Sequence, residues 1–272
     1  MIKLLITTGC SFTQYPGSNV SWSYHLSKSM NVETLFLGHG AASNGIISKK
    51  TIFNTLDALK KYKPEEILVM VMWSTHDRKT FFLDRYQADI FIDDWRNHRD
   101  SYNVCAQFSD MRGEFKSPIT IEHVENNLTK TMRASHTSGW LNLHNSHANS
   151  FEKLYYQRIH NLTYGINLTL ENILLLSMLC NKYNVKFVYS FIMENIINNM
   201  LDDNDEINKH LVDEVLNYPF IRQSPFDYLR KFNDKSLFRE DGVHPNLDGH
   251  RKFVEDVMLP WIEKTYPGLL ST

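Results

Sequence analysis

The sequence predicts an α/β protein, a three-layer α/β/α sandwich built on a mainly parallel central sheet. Three observations carry this reading. Short apolar runs alternate with segments of helical periodicity along most of the chain, the order produced by a parallel sheet covered on both faces. One run, Ile67-Leu-Val-Met-Val-Met-Trp73, is apolar throughout, as a strand buried on both faces requires. Three of the runs stop at Gly9, Gly38 and Ser74, small residues of the kind that close strands and open loops.

Taken in order, residues Lys3 to Thr8 read as a buried strand and Trp22 to Met30 as a helix. Thr34 to Leu37 is a second strand, closed by Gly38-His39-Gly40. From Asn44 the apolar positions Ile47, Ile52, Leu56 and Leu59 follow helical spacing, stopping near Pro64, because proline cannot continue a helix. Ile67 to Trp73 is the third strand. Residues from about 80 to 160 break the rhythm: they are polar and aromatic, with Trp95, Tyr102, Phe108 and Trp140, and show no period. A stretch of that length is too long for a structureless loop in a compact domain, so it is expected to pack as a lid or subdomain. Order resumes with a helix over Leu168 to Tyr183 and a strand over Val185 to Ile192, followed by a polar, mainly helical segment from Glu194 to Phe238. Asn246 then N-caps a final amphipathic run carrying Phe253, Val254, Val257, Met258, Trp261 and Ile262,. The expectation is one domain over residues 1–272 with an insertion at about 80–160.

Of the 272 residues, 42 % are apolar and 22 % charged, ordinary values for a globular chain. A formal net charge of -2 predicts neither nucleic-acid binding nor adhesion to anionic membranes. The 16 Phe, 13 Tyr and 5 Trp are read first as core. Cys10, Cys105 and Cys180 are far apart and odd in number, which fits neither a disulfide framework nor a metal motif. The apolar run after Met1 is too short for a signal peptide, and no apolar run approaches the roughly 18 residues of a membrane span. A cytoplasmic protein is the expectation.

The chemistry gathers around Glu240-Asp241-Gly242-Val243-His244-Pro245-Asn246. Proline disfavours helical dihedrals in the residue before it, and Gly242 permits a sharp bend. Asp241 and His244 are therefore held in a loop ahead of a helix, as the orienter and base of a nucleophilic site would be. Ser11 lies just beyond the first strand. Alone it would be read as a helix N-cap; the distant Asp-x-x-His-Pro block turns it into a candidate nucleophile. Gly40 and His76 also lie just beyond the ends of other strands, where ligands collect in parallel sheets.

Gly9-Cys10-Ser11-Phe12-Thr13, then Gly40, then Ser74-Thr75-His76-Asp77, then Asp241-x-x-His244-Pro245 together resemble the four ordered blocks of the SGNH (GDSL-like) hydrolase family. The resemblance covers the sheet-forming core and leaves 80–160 and much of 194–238 outside it. It implies a flavodoxin-like sandwich and a serine esterase, with Ser11 as nucleophile, His244 as base and Asp241 as its orienter. It further implies an oxyanion hole from the N–H groups of Ser11 and Gly40, with Ala41 as the alternative alignment. In the third block the family's usual Asn is replaced by His76, which would donate in its place, and Asn44 is the other candidate donor. The implied substrate is a small-molecule or carbohydrate ester, including an O-acetyl group on a sugar, with no cofactor and no metal. Two alternatives stand beside hydrolysis: an acyltransferase using the same site, and a catalytically impaired binding or structural module of the same fold. Arg78 is read either as a ligand for an anionic substrate or as part of a structural ion pair. His136, His144 and His147 match no standard metal spacing, and Trp95 and Trp140 are read as lid packing before sugar stacking.

Overall fold

The computed structural model describes residues 1–14, 21–40, 42–83, 139–143 and 150–270. In chain order the elements are β1 (Leu4–Gly9), α1 (Trp22–Met30), β2 (Glu33–Phe36), α2 (Asn44–Ala58), β3 (Ile67–Trp73), β4 (Lys79–Leu83) and β5 (Gly139–Leu143). There follow α3 (Ser150–Arg158), α4 (Leu162–Lys182), β6 (Lys186–Phe191), α5 (Glu194–Asp202), α6 (Glu206–Leu216) and β7 (Phe220–Ile221). The chain ends with α7 (Pro225–Arg230), α8 (Leu247–Phe253) and α9 (Leu259–Thr265), the last two joined by a π-helical turn, Val254–Met258.

Five strands form one parallel sheet in the order β2-β1-β3-β6-β7,. This is the predicted α/β class. All seven residues of β3 are buried, and each such Leu, Ile, Val or Met removed from water contributes about 1.5–3 kcal/mol. The chain leaves β1 in one direction across the sheet to reach β2, then crosses back over β1 to reach β3. With right-handed crossovers, that reversal places α1 and α2 on opposite faces. It also makes the carboxyl ends of β1 and β3 a topological switch point, the position where such sheets open a crevice. The register aligns Gly9 with Met72, so Ser11 and Ser74 emerge side by side.

The helix α4 is long and apolar enough to cross a membrane by length and composition; here it buries Ile166, Leu170, Ile173 and Leu176 and packs against α2 and α6. It starts at Leu162, six residues before the predicted start, with Asn161 capping it by accepting from the Tyr164 N–H at 2.8 Å. Beyond the sheet, β4 and β5 pair antiparallel. The expected lid or subdomain falls largely outside the described residues, as do Trp95, His136, His144 and His147.

Candidate active site

The first loop is shaped by Thr13. A Cβ on Gly9 would lie 2.2 Å from Thr13 Oγ1 and 2.7 Å from the Met72 carbonyl oxygen, and one on Gly38 would lie 2.5 Å from the Thr13 backbone. Only glycine fits at either crossing. The Thr13 N–H donates to the Cys10 carbonyl at 2.9 Å, closing a turn around Ser11. The Thr13 carbonyl accepts from Ser21 Oγ at 3.0 Å and Ser23 Oγ at 3.2 Å, and its Oγ1 accepts from Trp22 Nε1 at 3.0 Å. Ser11 is thereby fastened to the N-terminus of α1.

The last loop is shaped by Asp241. Its Oδ1 accepts from the Val243 N–H at 2.8 Å and the His244 N–H at 2.9 Å, while Gly242 takes the left-handed φ of +66° that this tight turn needs,. The Arg239 N–H donates to the His244 carbonyl at 2.9 Å. Asn246 Oδ1 accepts from the Gly249 N–H at 3.0 Å, capping α8 as predicted.

These two loops meet. Ser11 Oγ lies 2.8 Å from His244 Nε2, and His244 Nδ1 lies 2.7 Å from Asp241 Oδ2. A carboxylate can only accept, so Nδ1 carries the proton and Nε2 presents a lone pair to the Ser11 hydroxyl. Burial pushes the Asp241 carboxyl up, but the two backbone N–H groups and the His244 ring outweigh it and hold the carboxyl below its ordinary range, so it stays ionised. The Phe12 ring rests against the imidazole with centroids 4.8 Å apart, which restricts the turning of His244.

The second loop is stitched to the first: the Leu37 N–H donates to the Thr7 carbonyl at 2.8 Å and the His39 N–H to the Gly9 carbonyl at 3.0 Å. Gly40 therefore lies beside the nucleophile loop. Among the described residues, neither the Ser11 nor the Gly40 backbone N–H has a hydrogen-bond partner.

The side chains of Asn44 and His76, the expected side-chain donors to an oxyanion, hydrogen-bond to other groups of the protein. Asn44 Oδ1 accepts from the Ser74 N–H at 2.8 Å; its Nδ2 donates to the Ser74 carbonyl at 3.1 Å and to Thr169 Oγ1 at 2.9 Å. His76 is 5 % exposed, with Nδ1 at 3.0 Å from Thr169 Oγ1 and Nε2 at 3.1 Å from the Ile196 carbonyl. A carbonyl can only accept, so Nε2 carries the proton. Burial lowers the His76 pKa to about 4, so the ring is neutral and Nδ1 faces the Thr169 hydroxyl as an acceptor, in competition with the Gly165 carbonyl, to which that hydroxyl donates at 2.9 Å. Asn44, Thr169, His76 and Ile196 are thus joined in one hydrogen-bonded set linking α2, α4, the end of β3 and α5.

Arg78 lies between β3 and β4, with Nε and Nη1 buried and, among the described residues, without a hydrogen-bond partner. Among the described residues no group of three or more His, Cys, Asp or Glu side chains is placed to hold a metal ion. Sequence reasoning missed Thr13 and Thr169 as organisers. The G-x-S-x-T spacing carried a signal for the first, since a side chain at the threonine position can fold back over the glycine that opens the turn; nothing local marked the second.

No family model matches the sequence, and no curated protein does. Solved structures do. The Bacillus subtilis protein YXIM aligns over 98 % of this chain and 58 % of its own, with 9 % identity and a TM-score of 0.48. A catalytic mutant of Axe2, an acetylxylan esterase from Geobacillus stearothermophilus, aligns over 95 % of each chain with 11 % identity and a TM-score of 0.44. Est2A, an acetyl xylan esterase from the rumen bacterium Butyrivibrio proteoclasticus, aligns over 97 % of this chain and 64 % of its own, with 10 % identity and a TM-score of 0.40. This chain therefore spans less than two thirds of YXIM and of Est2A.

Proposed function

We propose that this protein is a serine esterase of the SGNH type. The observation that carries the reading is the unbroken chain from Ser11 Oγ through His244 to Asp241, at 2.8 and 2.7 Å. Ser11 Oγ attacks the ester carbonyl carbon while His244 Nε2 takes the hydroxyl proton. Asp241 stabilises the imidazolium that results. The negative charge on the former carbonyl oxygen is held by the N–H groups of Ser11 and Gly40. Collapse breaks the ester C–O bond, and His244 returns its proton to the departing alcohol. Water, deprotonated by His244, then attacks the acyl-enzyme and releases the acid and Ser11. The substrate class suggested by the motif resemblance is an O-acetyl ester on a carbohydrate.

A hole with two backbone donors and no side-chain donor favours reactive acyl groups, because one missing donor costs on the order of 10²–10³ in turnover. The test is hydrolysis of p-nitrophenyl acetate, butyrate and octanoate by wild type, Ser11→Ala and His244→Ala, with fluorophosphonate labelling in parallel. Turnover that both variants abolish supports the reading. Absence of turnover together with absence of label on Ser11 defeats it and leaves a binding module of the same fold. Acyl transfer to an added sugar in preference to water would identify the transferase alternative.

A further inference from the structure

The outer face of α4 is at odds with its place on the surface. A helix that covers a sheet buries one stripe and turns polar residues to the solvent. In α4 the buried stripe holds Ile166, Leu170, Ile173 and Leu176, yet Leu175 and Met178, on the other side, are each 56 % exposed. Glu171 and Lys182, both exposed, complete a row spaced i, i+4, i+7, i+11, which keeps all four side chains on one face. The apolar surface continues onto α2. Asn44 Nδ2 donates to Thr169 Oγ1 at 2.9 Å and Ser48 Oγ to the Asn172 carbonyl at 3.5 Å, so the two helices lie side by side and run the same way. By that register the next turns of α2 bring half-buried Ile52 and exposed Leu56 alongside Leu175 and Leu179.

The row on α4 is symmetric about its centre in all but the sign of its charges. Glu171 stands four positions before Leu175, and Lys182 four positions after Met178. Laid antiparallel on a second copy, with a two-fold axis between Leu175 and Met178, each Leu175 meets Met178 of the other copy and each Glu171 meets Lys182. An isologous dimer demands this self-complementarity, because every contact in it is made twice. A parallel approach would set Glu171 against Glu171, so charge selects the antiparallel one. Neither charged residue makes an ion pair among the described residues; Lys182 rests over the ring of its neighbour Tyr183 at 5.5 Å. A stable contact buries about 800 Å² on each partner, more than one helix face supplies, and the α2 residues widen the patch toward that size.

We infer that the α2–α4 face is the interface of a two-fold dimer of this chain, with α4 packed antiparallel on α4 of the second copy. The inference does not rest on the esterase reading. Helices that connect parallel strands run opposite to them, so the C-terminal halves of α2 and α4, which carry the patch, lie toward the amino ends of β3 and β6. Ser11 and Ser74 lie beyond the carboxyl ends of β1 and β3. The dimer therefore leaves the candidate site of each copy open.

Sedimentation velocity on the full chain, from dilute solution to the solubility limit, tests it. Wild type should pass from monomer to dimer as concentration rises. Leu175→Asp, at an exposed position outside the core, should hold the chain monomeric with its thermal midpoint unchanged. Glu171→Lys and Lys182→Glu should each raise the dimer Kd about tenfold, since symmetry turns two exposed attractive pairs into two repulsive ones. The two substitutions together should restore the wild-type Kd. A wild type that stays monomeric at every concentration overturns the dimer. A dimer that Leu175→Asp leaves intact overturns the choice of this face. Failure of the double variant to recover overturns the antiparallel register.

Discussion

Asn44 grips Ser74 by both of its backbone groups, accepting from its N–H at 2.8 Å and donating to its carbonyl at 3.1 Å. This double contact fixes the exit of β3 against the first turn of α2, which itself follows the Gly40 loop. The two loops flanking Ser11 thus share one bracket, buried and free of solvent competition.

Asn44→Ala strands the Ser74 N–H and carbonyl and one bond of Thr169. We expect a loss of about 3 kcal/mol, since each buried group left unpaired costs about 1–3 kcal/mol. Urea unfolding measures it; a change below about 0.5 kcal/mol, the range of an ordinary surface substitution, would show that the bracket bears no stability.

Asp241→Asn separates orientation from folding. The amide oxygen still accepts from Val243 and His244, so the turn survives. The amide nitrogen faces Nδ1 as a donor, which forces the ring proton onto Nε2 and points it at Ser11. Activity should fall by about 10⁴ through the wrong tautomer, with the thermal midpoint nearly unchanged. Retained esterase activity would exclude His244 as a base oriented by Asp241.

Gly9→Ala and Gly242→Ala should behave differently. At Gly9 the new methyl group collides with Thr13 Oγ1 and the Met72 carbonyl, which distorts the nucleophile loop and abolishes labelling of Ser11. At Gly242 nothing lies within 4 Å of the new carbon. The cost there is the left-handed backbone alone, about 1–2 kcal/mol, visible as a lower unfolding midpoint in a labelled, folded protein.

Three buried histidines make the fold sensitive to acid. Burial, with a contribution from Lys50, lowers His39 to about 3; burial lowers His76 to about 4; burial, with Arg239, lowers His250 to about 3. Below the ordinary value of 6.5 the unfolded chain takes up protons that the folded chain refuses. Stability is therefore full above pH 6.5 and declines as the pH falls, with His76 ceasing to contribute below about 4. Each histidine adds a slope of about 1.4 kcal/mol per pH unit. Urea titrations at pH 7, 6 and 5 give the total slope, and His76→Gln should reduce it by one proton's worth.

Much of this was legible in the residues. An uninterrupted apolar run such as Ile67–Trp73 has no reading but a buried strand. Asp241-x-x-His244-Pro245 is legible because proline and glycine exclude the helix that would hide it. The early start of α4 was not legible: Gly165 and Asn167 interrupt the apolar pattern. Yet Gly165 is needed there, because a Cβ would lie 2.5 Å from the His76 carbonyl. The final helix was read as one regular element and contains a π-helical turn at Val254–Met258, a change of pitch that periodicity averages away. The strand β7 has two residues, too few for any pattern. The roles of Asn44 and His76 depend on Thr169 and Ile196, 125 and 120 residues away respectively, and no local spacing encodes such partners.

Ser11 and His244 are 233 residues apart in the chain, which gives the protein a built-in order of assembly on the ribosome. The nucleophile loop leaves the ribosome well before its candidate base. A nascent chain therefore carries half of the candidate site until the other loop has been made and has reached it. Ester turnover, where it is found, doubles as a reporter that these two distant loops have met.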